Sequence, residues 1–167
     1  MIVSNSSVLM YLSKIDKFYL LKELFGKILI PEKVKKEEID EGRKGNHIDA
    51  IEIEKAVNDG WINVIKVEVE PILKNIGMDE GEAEAISLAF KKKLAVLLDQ
   101  THARDGARLL GVKFRGTIYI LLLALKKKMI DYDIYLLSLL DLIEFGFRMS
   151  EEVYIEAIRL GKEISKK

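Results

Sequence analysis

The chain predicts an α/β fold: a three-layer α/β/α sandwich with a central, mostly parallel sheet and extra C-terminal helices. Three observations carry this. Short apolar runs alternate with stretches of helical periodicity along the whole chain, as in βαβ units. Leu94-Ala95-Val96-Leu97-Leu98 is apolar without interruption, which suits a parallel strand buried on both faces. No repeat, linker or low-complexity tract divides the 167 residues, so residues 1–167 read as a single domain with a sizeable core.

Taken in order, Ile2-Val3-Ser4 is a strand that ends in the helix-capping types Asn5-Ser6-Ser7. Residues 8–12 and 18–25 read as two helical pieces broken near 13–16. Ile28-Leu29-Ile30 is a second buried strand. Pro31 suits the first turn of a helix over 31–41, which carries Val34, Glu37, Glu38 and Ile39. Residues 42–46 form a polar loop, 48–58 a helix ending at Gly60, and 61–67 a β-branched strand. A short helix over 69–76 is closed by Gly77. Asp79 caps the next helix, with Glu82 three residues on as in a capping box. Ala83, Ile86, Ala89 and Phe90 give that helix its apolar face. The run 94–98 ends at Asp99. Then come a helix over 101–110, a short strand over 112–115, an apolar helix from Gly116-Thr117 to Leu125, and amphipathic helices over 132–145 and 150–164.

Composition removes several classes of function. Basic and acidic residues balance at 27 each, so no global field points to nucleic acid or membrane. The absence of cysteine excludes disulfides, thiolate nucleophiles and Cys-ligated metals, and is compatible with a cytoplasmic protein. No secretory leader is expected, because Met1-Ile2-Val3 already reads as strand. The longest apolar run falls short of the ~20 residues of a membrane span. There is no P-loop, dinucleotide fingerprint, HExxH or Gly-x-Ser-x-Gly elbow. His47 and His102 read as surface residues.

The acids are more informative. Parallel strands share a carboxyl edge, where ligands bind in open α/β sheets. Asn5 and Asp99 each follow a strand and meet at that edge. Glu84 lies in the first turn of its helix, where the macrodipole favours an anion, and Glu82 is its neighbour. Glu37 sits on the helix after the second strand. Glu37 and Glu38 also fit a solvated helix face, and Glu82 fits a capping box. Carboxylates gathered without Cys or His are what Mg2+ or Mn2+ uses, and such sites serve phosphodiester hydrolysis. Lys91-Lys92-Lys93 and Lys126-Lys127-Lys128 read either as helix C-terminal charges or as a phosphate track for a single strand.

In order and spacing, MIVSNSSVLMYLSKI, ILIPEKVKKEEI, GEAEAISLAF, LAVLLDQTHAR and GVKFRGT resemble the motifs of the PIN domain, closest to its VapC-like branch, over essentially the whole chain. The resemblance implies an α/β/α sandwich that cleaves RNA with Mg2+ or Mn2+ at an acidic ring. For VapC-like members it further implies toxins held by a small antitoxin, commonly homodimeric. Matched motif by motif, it assigns Glu37, Glu84 and Asp99 to the ring, with Glu82 beside Glu84 and Thr117 as a hydroxyl next to the site. The first motif usually reads Ser-Asp-x-Ser; here Asn5 stands at the acidic position, and Gln100 follows Asp99 where an acid is common. The expected function is a metal-dependent ribonuclease. The alternative is a PIN fold with a weakened site that binds RNA or a protein partner without cutting.

Overall fold

Five short strands form one sheet, parallel at every pairing, in a computed structural model that describes residues 1–45 and 47–167. They are β1 (Ile2–Ser4), β2 (Ile28–Pro31), β3 (Ile62–Ile65), β4 (Val96–Leu97) and β5 (Phe114–Arg115), in the order β3-β2-β1-β4-β5. The sheet grows outward from β1 through β2 to β3, then the chain returns to β1's other side for β4 and β5. The topological switch point therefore lies between β1 and β4, and their carboxyl ends flank the crevice where such sheets bind ligands. Asn5 N–H donates to the Leu97 carbonyl at 3.1 Å, which extends the β1–β4 ladder to the edge of that crevice.

Strand side chains alternate between faces, and two cores result. Ile2, Ile28, Ile30, Ile62 and Leu97 face one layer with α1 (Ser6–Lys14), α2 (Tyr19–Phe25), α5 (Ile48–Asn58), α9 (Thr117–Lys126), α10 (Tyr132–Glu144) and α11 (Glu151–Ser165). Val3, Leu29, Val96 and Leu98 face the other with α6 (Pro71–Lys74), α7 (Glu80–Lys92) and α8 (Thr101–Leu109). This is the expected three-layer sandwich, and truncation of a fully buried residue such as Leu97 to Ala should cost about 2–5 kcal/mol. The C-terminal helices α10 and α11 complete the first core through Tyr135, Leu139, Leu142 and Ala157. No helix of the described residues is long and apolar enough to cross a membrane.

The segment after β2 departs from the expected single helix. Pro31 is the last residue of β2, paired with Ile65, and its extended backbone (φ −74°, ψ 163°) makes it the cap of α3 (Glu32–Lys35) rather than a residue of the first turn. A π-helical turn follows over Lys36–Glu41, continuing into α4 (Gly42–Lys44) where a polar loop was expected. Asn46 of that expected loop lies outside the described residues. Phe90, expected on the inner face of α7, is exposed at the helix end.

Candidate functional site

Asn5 is nearly buried at the end of β1 and caps α1, its Oδ1 accepting from the Ser6 N–H at 2.7 Å. Ser6 also reaches across to the π turn: its Oγ donates to Glu37 Oε2 at 2.8 Å. A wide turn of this kind often marks a functional segment, and here it delivers Glu37 toward the crevice. The Glu37 carboxylate lies against the first turn of α7, where a Cβ on Gly81 would stand 3.0 Å from each of its oxygens. Glycine at 81 leaves that space open, and the positive end of the α7 dipole favours the anion.

Asp79 caps α7, Oδ1 accepting from Gly81 N–H (3.0 Å) and Glu82 N–H (3.3 Å). Only half of the expected capping box forms: the carboxylate of Glu82 takes no hydrogen bond among the described residues, and it lines the cleft instead. Asp99, beyond β4, is clamped by Thr117, whose N–H donates to Oδ1 (2.8 Å) and whose Oγ1 donates to Oδ2 (2.7 Å). Arg104 lies beside Asp99 and donates to the Leu98 carbonyl through Nε and Nη2.

Asn5, Glu37, Asp79, Glu82 and Asp99 thus line one cleft at the carboxyl edge, together with His102 and Arg148. Thr117 is fully buried behind it. Burial is the first cause that raises the carboxyls of Glu37, Glu82 and Asp99 above their ordinary range. Asp79 adds to the effect at Glu37 and Glu82, whereas the Thr117 hydrogen bonds and Arg104 oppose it at Asp99. Burial disfavours the charged form of a carboxyl, and a like charge nearby adds to that. Glu38, expected on a solvated face, is half-buried, and burial with Asp49 and Glu37 nearby pushes it up to about 8.

Glu84 is not part of the cleft lining. Residues two apart on an α-helix point in different directions, so Glu82 and Glu84 do not face the same space. Glu84 accepts from the Lys33 N–H at 3.1 Å, satisfying a free donor in the first turn of α3. The sequence singled out Asp79 only as a cap, and gave no sign of Ser6 or Arg148; a capping carboxylate next to a candidate acid was the one signal available for Asp79. Neither lysine triplet lines the cleft: Lys91 is engaged by the Glu68 carbonyl and Glu70.

The family model DUF3368, a PIN domain, matches residues 1–163. This chain belongs to the PIN-domain family. A PilT N-terminus domain protein, SSO1118, from the hyperthermophilic archaeon Sulfolobus solfataricus P2 has a similar solved structure: 16% identity, 72% of this chain and 90% of that chain covered, TM-score 0.45. Among curated proteins, none matches the chain.

PIN domains commonly act as nucleases with divalent metal, and the donors in this cleft suit such an ion chemically. Apart from His102, the donors that Asn5, Glu37, Asp79, Glu82 and Asp99 bring are oxygens, which hard cations prefer. Ser7, which also lines the cleft, carries a buried hydroxyl without a partner among the described residues, a polar group that a bound ligand or its water would satisfy. Among the described residues, no three His, Asp or Glu side chains stand close enough to share one metal. The oxygen donors suit a hard divalent cation, but they do not form a closed protein cage among the described residues.

Proposed function

We propose that this PIN domain is a Mg2+- or Mn2+-dependent ribonuclease of the VapC-like branch. The observation that carries the reading is the meeting of Glu37, Glu82 and Asp99, from three separate segments, in one cleft at the switch point. Glu37 and Glu82 are the residues to hold the metal, with Asp99 and the Asn5 side chain in the same cleft. A hard divalent ion supplies charge stabilisation at phosphoryl oxygens and lowers the pKa of water. Ser6 orients Glu37, and Thr117 orients Asp99, so that both carboxylates are set before substrate arrives. The test is incubation of the purified protein with single-stranded RNA and Mn2+, with and without EDTA. Cleavage abolished by EDTA supports the reading, and intact RNA under all conditions overturns it.

One observation favours a second reading, in which RNA or a protein partner is bound and not cut. Asn5 is neutral, and its Oδ1 is already taken by the Ser6 N–H. RNA retained on the protein without products in Mn2+ would support that reading.

A toxin role with a small antitoxin partner follows from the family resemblance; growth arrest on expression, relieved by an adjacent gene product, would test it. A homodimer is supported by the outer side of α10, where Ile134, Leu137, Leu140 and Ile143 are exposed. Light scattering that finds only monomer across a wide concentration range would count against it.

A further inference from the structure

A second groove opens off the acidic cleft, between the α8–β5–α9 edge and α11, with a volume of about 820 Å³. Asp99, Thr101, Phe147 and Arg148 belong to both, so the two adjoin. One wall presents guanidinium groups laid on aromatic planes. Arg115 lies 5.1 Å from the Tyr119 ring centroid, and Arg104 lies 5.3 Å from that of Phe114. Arg115, Tyr119 and Arg148 are exposed. Of the two acids on the α11 wall, Glu156 is already held by Arg159.

We propose that this groove is the track for the single-stranded nucleic acid that enters the acidic cleft. Arg115 and Arg148 take backbone phosphates, and Tyr119 gives a flanking base a surface on which to stack. The inference rests on the nuclease reading and deepens it by naming the strand's path. Guanidinium groups pair with phosphate oxygens in a planar fork, and aromatic faces accept any base. The combination suits a strand bound without sequence preference. The path differs from the one the lysine triplets suggest, since Lys126, Lys127 and Lys128 line neither groove.

The experiment is fluorescence anisotropy of a labelled single-stranded RNA, and of DNA of the same sequence, with the full chain in EDTA. Binding is thus read without cleavage. Tyr119→Leu and Arg115→Ser are each expected to weaken binding about tenfold. Arg115→Ser should also lower the salt slope by about one. The triple change of Lys126, Lys127 and Lys128 to Ser should leave affinity unchanged. If Tyr119→Leu fails to fold, Arg115→Ser still decides. Which probe binds more tightly distinguishes RNA from DNA as the strand. Groove variants that bind like the parent overturn the proposal, as does loss of affinity in the lysine variant alone. Binding of neither probe also overturns it and leaves the groove to a protein segment. Tight, groove-dependent binding with no cleavage in Mn2+ sinks the nuclease reading and leaves this one standing.

Discussion

Thr117 holds both oxygens of Asp99, one through its backbone N–H and one through its hydroxyl. The two residues lie on consecutive βα units, so the clamp ties the end of β4 to the start of α9. Thr117→Val keeps the shape and the N–H but removes the hydroxyl. One buried carboxylate oxygen then loses its partner, and a cost of about 2 kcal/mol is expected. Urea unfolding of the two proteins measures it. A loss below a few tenths of a kcal/mol would show that water replaces the hydroxyl.

Asn5→Asp restores a carboxylate at the first motif with almost no change in volume. Asp caps helices as well as Asn does, so α1 should start normally. Mn2+ should bind more tightly, because hard cations depend on ligand charge, and EDTA-sensitive RNA cleavage should rise. Without metal, the added charge near Glu37 should lower the melting temperature. Titration calorimetry and a cleavage assay on both forms check this; equal affinity and activity would place residue 5 outside the metal's reach.

The metal-free protein should lose stability as pH rises. Folded Glu38 keeps its proton up to about pH 8, whereas the unfolded chain releases it near 4.5. Within that window the folded state binds more protons, so raising the pH favours unfolding. Burial is the main cause, Asp49 and Glu37 add to it, and Lys14 opposes it. The raised carboxyls of Glu37, Glu82 and Asp99 act in the same sense. Thermal melts in EDTA should give a higher midpoint at pH 5 than at pH 8, and Glu38→Gln should narrow the difference. A midpoint that rises toward pH 8 would contradict the assignment.

Ser7→Ala removes a hydroxyl that has no partner among the described residues. Stability should hold or rise slightly, since no hydrogen bond is broken, while RNA cleavage slows. Denaturant unfolding with a parallel activity assay separates the two effects. A loss of more than about 1 kcal/mol with unchanged activity would reveal an internal partner instead.

Much of this architecture was legible in the order of residues. Period-two alternation in Ile2-Val3 and Ile28-Leu29-Ile30 decides which core each side chain enters, and apolar strands followed by Asn5 and Asp99 mark the carboxyl edge. Rotational phase was not legible. Glu82 and Glu84 both occupy the start of α7, and only the packed helix shows which one faces the cleft. The π turn was equally hidden, because nothing in Lys36–Glu41 distinguishes it from an α-helix whose acids point to water. Ser6 reads as a helix-start residue, and its bond to Glu37 spans 31 positions that no local pattern connects.

The bond from the Lys33 N–H to Glu84 has a bearing on how any mutational scan of this protein would be interpreted. Glu84 anchors the start of the segment that, four residues later, presents Glu37. Cutting that tether would let Glu37 drift from its seat at Gly81, and activity would fall as though a metal ligand had been deleted. A screen scored on cleavage alone would therefore not separate such a tether from an acid of the site. Temperature would expose the difference: a tether's loss deepens on warming as the segment loosens, whereas a missing ligand is missing at every temperature.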